Sequence, residues 1–249
     1  MSRGVVITGA SSGIGAALAR QLVTRGDRVV LAARRQDLLE ALASELGSRA
    51  YAVATDVTRR TDVDRLRDRA IAALGGVDVW VNNAGRGLSK SALEVTDAEF
   101  DEMMLVNVKS ALYGMQAIVP HLVERGRGQI INVSSFLSRV PMAPIRAGYS
   151  AAKAALNSLT TNVRMDLAAS HPGIAVTLVL PGLVSTDFAR SAVHGTPPIR
   201  PGAGGAPPQT AEEVADVMVR AIDRPVAEVY TNPVHAGIVQ RYYAEPSVQ

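Results

Sequence analysis

The chain has 249 residues, 47% hydrophobic and 20% charged, with a formal net charge of +3 and no cysteine. That composition is globular and excludes a disordered chain, and the missing cysteine excludes disulfides, thiolate nucleophiles and cysteine-held metal sites. The 26 basic residues are interspersed with 23 acidic ones and aromatics are only 4%, so no nucleic acid is expected as a partner. No apolar run approaches the ~18 residues of a membrane span, and no apolar leader follows Met1-Ser2-Arg3-Gly4. The expectation is a cytoplasmic protein with no membrane span and no bound metal.

The first predicted element is the strand Val5-Val6-Ile7. It runs into Thr8-Gly9-Ala10-Ser11-Ser12-Gly13-Ile14-Gly15, which opens a helix over 13–25. Glycines at a strand-to-helix turn let an anionic pyrophosphate approach the free N–H groups of the helix start. The next strand, Val29-Val30-Leu31, ends in Ala32-Ala33-Arg34-Arg35. An acid at that place would grip the ribose hydroxyls of NAD. Two guanidiniums offer forked donors to a phosphate instead, so the expected cofactor is NADP(H), with Arg34 and also Arg35 on the 2′-phosphate. Asp37 is expected to cap the following helix, 36–47.

A strand at Tyr51-Ala52-Val53 leads past Asp56 into a helix over 61–74. The strand Val77–Val81 ends in Asn82-Asn83-Ala84-Gly85, and a long helix is predicted over 97–124. The strand Ile130–Val133 ends in Ser134-Ser135, where a hydroxyl at a strand C-terminus can meet a ligand. Tyr149 and Lys153 then share one face of a helix over 149–169. A tyrosine titrates near 10, and a neighbouring ammonium lowers that value, so the pair can form a tuned acid/base. Taken alone, the same spacing also describes a solvated helix pair.

The strand Ile174–Leu180, a helix over 210–224 and the strand Glu228-Val229-Tyr230 complete the pattern. Between them, Ser191–Gln209 holds five prolines and four glycines, and is expected to be a lid or substrate loop within about 188–210. Uninterrupted apolar strands alternating with helices predict one α/β domain over 1–249, a parallel sheet covered on both faces.

The ordered set of Gly9–Gly15, Asn82-Asn83-Ala84-Gly85, Ser135, Tyr149-x-x-x-Lys153 and Pro181-Gly182 resembles the short-chain dehydrogenase/reductase family over nearly the whole chain. The resemblance implies a Rossmann-type doubly wound sheet in the order 3-2-1-4-5-6-7. It implies a homodimer or homotetramer built on the two long helices. Tyr149 would be the acid/base, Lys153 would lower its pKa and hold the nicotinamide ribose, Ser135 would orient the substrate oxygen, and Asn107 would hold a water in a proton relay. Asp56 and Val57 would meet the adenine, Asn83 its ribose, and Thr186 the carboxamide. Ser11, Ser12 and Ile14 would line the pyrophosphate turn with the glycines, and Ala84, Gly85, Pro181 and Gly182 would complete the cofactor groove. Some NADP-binding members carry a basic residue where this chain has Ser12, which leaves Arg34 as the main phosphate partner.

Ser135 and Tyr149 are 14 positions apart, where 13 is commoner in the family. The segment Arg139–Arg146 is expected to loop out the extra residue; otherwise Ser134 or Ser138 becomes the catalytic hydroxyl. Phe136, Leu137, Met142, Leu183 and Phe188 are the candidate lining of an apolar carbonyl or alcohol substrate. The expected activity is reversible, NADP(H)-dependent reduction of a ketone or aldehyde. Two other readings stay open: a non-catalytic NADP-binding sensor on the same fold, and an α/β hydrolase with Ser11 in Gly9-Ala10-Ser11-Ser12-Gly13 and His194 or His235 as base.

Overall fold

Val5, Val6 and Ile7 are all fully buried, although successive side chains of a strand point to opposite faces. Such a strand needs cover on both sides. The computed structural model, which describes residues 2–188, 192–195 and 207–245, supplies it. Seven strands, β1 (Gly4–Thr8), β2 (Arg28–Ala33), β3 (Ala50–Ala54), β4 (Val79–Asn82), β5 (Gly128–Val133), β6 (Ile174–Leu180) and β7 (Glu228–Tyr230), form one sheet in the order β3-β2-β1-β4-β5-β6-β7. Every neighbouring pair is parallel, with Val5 opposite Val29 on one side and Val79 on the other. The single α/β domain and its strand order are those expected.

The helices are α1 (Gly13–Thr24), α2 (Gln36–Leu46), α3 (Arg60–Leu74), α4 (Asp97–Met104), α5 (Ser110–Arg125), α6 (Ala147–Ser170), α7 (Ala211–Asp223) and α8 (Val234–Ala244). Val5 and Ile7 face a core shared with α1, α2 and α7. Val6 faces the second core, with α3, α5 and α6. A buried polar chain ties the centre of the sheet to two helices. Asn82 donates to Asn132 Oδ1 at 2.8 Å, Asn132 donates to Thr160 Oγ1 at 2.9 Å, and Asn82 also donates to the Ala111 carbonyl at 3.3 Å. Trp80, fully buried, donates to Asn82 Oδ1 at 2.8 Å.

Several expectations are corrected. The helix predicted over 97–124 is α4 and α5 joined through one π turn, Leu105–Lys109. The N-cap of α2 is Arg35, and Asp37 instead occupies the first turn, where its charge suits the helix start. The helix α8 was not expected. Most of the expected lid, residues 189–191 and 196–206, lies outside the described residues. Its described part is tethered to the segment after β4: Val193 donates to the Gly87 carbonyl at 2.9 Å, and His194 Nε2 meets Glu99 Oε1 at 2.6 Å.

The strand order reverses at β1, which lies between β2 and β4. The crevice beyond the carboxyl ends of those strands is where a doubly wound sheet takes its ligand.

Candidate active site

The glycine turn at the end of β1 is held from two directions. Gly9 and Gly13 have φ of 69° and 56°, the left-handed region that a side chain disfavours. A Cβ at Gly15 would lie 2.6 Å from the Gly9 carbonyl oxygen. Asn83 donates its amide to the Thr8 carbonyl at 2.9 Å and the Gly9 carbonyl at 3.3 Å, pinning the turn to β4. The first turn of α1 has no acid and its N-cap Ser12 makes no side-chain cap bond, so the positive end of the helix faces the crevice uncompensated.

Arg35 reaches across from β2 and donates to Ser11 Oγ at 2.9 Å and Ser12 Oγ at 3.0 Å. Arg34 is exposed beside Asp56. Burial works against the Asp56 carboxylate, but the Thr58 hydroxyl and backbone N–H, with Arg34 and Arg59, outweigh it and hold the group below its ordinary value. These donors and the open helix start fit the phosphates of a dinucleotide.

Ser135 and Tyr149 are both buried, and the Ser135 hydroxyl lies near enough to the phenol to bear on its ionisation. Burial pushes the Tyr149 phenol up to about 12; the Ser135 hydroxyl, and then the Arg146 charge, pull it the other way. Lys153 follows one turn along the same helix, α6. Its Nζ donates to the Val133 carbonyl at 2.8 Å and lies 5.9 Å from the centre of the Tyr149 ring. Burial lowers its own pKa to about 8. Asn107, in the π turn, accepts from the Arg86 N–H at 3.2 Å and donates to the Arg86 carbonyl at 3.0 Å. Gly85 lets Asn107 and Lys153 converge: a Cβ there would stand 2.9 Å from Asn107 Oδ1 and 3.4 Å from Lys153 Nζ.

Turn, arginines and tyrosine all open onto one cavity of about 1240 Å³. Every expected cofactor residue lines it except Gly15, which shapes the turn from behind. Asn107 stands behind Gly85 and does not line it.

Residues 3–196 match the family model described as short chain dehydrogenase. The chain belongs to the short-chain dehydrogenase family. An uncharacterised oxidoreductase of Staphylococcus epidermidis is 34% identical over 233 residues, 92% of this chain and 96% of that one. A short-chain dehydrogenase/reductase of Burkholderia phymatum, solved in complex with NAD, is 25% identical with a TM-score of 0.89, covering 100% of this chain and 97% of that one. A short-chain dehydrogenase of Burkholderia cenocepacia, solved with NADP, is 31% identical with a TM-score of 0.81, covering 98% and 94%.

Within this short-chain dehydrogenase the extra residue before Tyr149 leaves the Ser135 contact intact, because Arg139–Arg146 is irregular chain between a 3₁₀ turn (Phe136–Ser138) and α6. Ser134 is otherwise engaged, bonded to Asn157 Oδ1 at 2.6 Å and the Lys153 carbonyl at 3.2 Å. Ser138 donates to the Ser135 carbonyl and accepts from Asn157 at 2.7 Å. The hydrolase reading fails on contacts. Ser11 is bonded to Arg35, His194 to Glu99, and His235 stacks on Phe136.

All five candidate substrate residues line the cavity. Phe188 tilts over Tyr149 with ring centres 5.8 Å apart, whereas Phe136 is 4% exposed and serves mainly as packing. The wall also carries Arg146, Asn232 and His235, which the sequence reading did not assign to the substrate. Two of them lie at the start of the unexpected α8, whose sequence gave no sign that it reaches the site. No helix among the described residues is long and apolar enough to cross a membrane.

Proposed function

We propose that the protein is an NADP(H)-dependent reductase of ketones or aldehydes, working reversibly. The observation that carries this is the buried Ser135–Tyr149 hydroxyl pair, open to the same cavity as the glycine turn. A bound reduced nicotinamide supplies the hydride. Ser135 and Tyr149 hold the carbonyl oxygen between two donors, which stabilise negative charge as it develops there. Tyr149 gives its phenolic proton to that oxygen. With a pKa of about 12 the phenol is fully protonated at neutral pH, which suits the reducing direction. Lys153 and Asn107, brought together at Gly85, are the polar groups through which Tyr149 regains a proton. Phe188 covers the tyrosine and keeps water from it.

NADP(H) is favoured because β2 ends in Arg34 and Arg35 without an acid. The solved relatives divide on this point, one holding NAD and one NADP. The homodimer or homotetramer would use α5 and α6, and Met165 on α6 is 65% exposed.

The test is Tyr149→Phe, assayed by loss of NADPH absorbance over a panel of carbonyl compounds. Turnover should fall by about a hundredfold or more, with NADPH affinity unchanged. Retained turnover would remove Tyr149 from the chemistry. Tight NADPH binding by the native protein with no turnover anywhere on the panel would favour the sensor.

A further inference from the structure

One part of the cavity wall carries polar side chains that the reduction chemistry leaves unused. Asn232 follows β7 and His235 lies in the first turn of α8, and both line the cavity. His235 is 4% exposed. Its ring stacks on Phe136, centres 4.1 Å apart and planes 18° from parallel. Its edge abuts Gly182, where any side chain would collide with the imidazole. The ring is thereby clamped between the residue after Ser135 and the residue after Pro181.

His235 Nδ1 is buried and has no hydrogen-bond partner. Nε2 is not among the buried, unpartnered atoms, so of the two ring nitrogens it is the one left accessible on a residue that lines the cavity. Burial lowers the pKa of the imidazole, so the ring is neutral and one nitrogen carries the proton. An orphaned buried N–H is rarer than a bare buried acceptor. The proton therefore rests on Nε2, which becomes a donor aimed into the cavity. Packing does not call for this residue, since a phenyl ring would stack on Phe136 without leaving a nitrogen unpaired. Asn232 adds to the arrangement. Its Oδ1 accepts from the Val234 N–H at 3.2 Å, which leaves its amide N–H groups as further donors. The first turn of α8 holds no acid that would compete for them.

We propose that His235 and Asn232 form a specificity-determining pair that receives a second carbonyl-type oxygen of the substrate. The compound reduced at Tyr149 is then a ketone or aldehyde that also carries a ketone, ester or carboxylate oxygen. This rests on the reductase reading and replaces the expectation of a purely apolar substrate wall. Phe136, between Ser135 and His235, spaces the two oxygens. A substrate lacking the second oxygen leaves the donors desolvated and unpaired, which is the usual origin of strong discrimination.

The experiment pairs ketones bearing an ester or carboxylate two to four bonds from the reacting carbon with plain ketones of equal length. The native protein should prefer the oxygen-bearing member of at least one pair by about tenfold in kcat/KM. His235→Phe keeps the stack on Phe136 and should abolish that preference through KM, leaving plain ketones and NADPH affinity unchanged. His235→Gln, whose amide can place an N–H near the site of Nε2, should restore most of it. His235→Leu serves if His235→Phe does not fold. Equal losses on both ketone sets, or no preference in the native protein, would overturn the proposal. Thermal shifts of the NADPH-loaded protein with each ketone give the same comparison without turnover. Selective stabilisation by oxygen-bearing ketones with no reduction would overturn the reductase reading and leave the pair standing. Reduction without selectivity would overturn the pair alone.

Discussion

Lys153 keeps its ammonium in a buried place with the Val133 carbonyl as partner, and its pKa falls from the ordinary 10.5 to about 8. Between those two values the unfolded chain binds the proton and the folded chain does not, so this residue makes stability rise with pH across that window. The native protein should gain stability relative to Lys153→Met as pH climbs from about 8 to 10.5. Paired melting curves check this. The Tyr149 shift has the opposite sign, lowering stability between 10 and about 12, but it is present in both proteins and cancels in the comparison. The two arginines after β2 separate in the same way. Arg34→Ala should reduce the NADPH-over-NADH preference by roughly tenfold or more, the worth of a charge-assisted bond. Arg35→Ala should weaken both cofactors alike, because Arg35 is bonded to Ser11 and Ser12 of the turn they share. Titration of each variant with both cofactors decides it, and an unchanged preference in Arg34→Ala would remove the phosphate assignment.

At the scale of elements, α7 is set by its capping box. Thr210 Oγ1 accepts from the Glu213 N–H at 3.1 Å, and Glu213 Oε2 accepts from the Thr210 N–H at 2.8 Å. Thr210→Ala should cost about 1 kcal/mol, read as a lower denaturant midpoint. The buried strands were readable because Val5-Val6-Ile7 and its counterparts have no polar face. The helix α8 was not, since His235 is its only buried residue and it presents no apolar stripe. The π turn also escaped notice: Leu105–Lys109 contains no glycine or proline, and the widening goes with the bonds between Asn107 and the Arg86 backbone. Within the site, the choice between Ser134 and Ser135 lay beyond local pattern. It is decided by the bonds of Ser134 to Lys153 and Asn157, 19 and 23 positions away. The alignment of Lys153 with Val133 is equally non-local, and so the direction of its ammonium could not be read from a spacing of four.

For the molecule as a whole, the buried chain Asn82–Asn132–Thr160 joins β4, β5 and α6, and a further bond from Asn82 reaches α5. Asn132 is fully buried. Asn132→Ala would strip a partner from Asn82 and from Thr160 at once, and should cost about 2–3 kcal/mol in urea unfolding. A loss no larger than that of an exposed substitution would show that the chain is not holding the sheet to its helices.

Trp80 lies at the head of that chain, and it is the single tryptophan of the protein. Its indole is shut away from solvent three residues before Asn83, the side chain that pins the glycine turn. The molecule thus carries one intrinsic fluorophore, wired to the nucleotide crevice. Denaturation should red-shift its emission, and a docked reduced nicotinamide should quench it by energy transfer, so occupancy and integrity can be followed optically on unlabelled material.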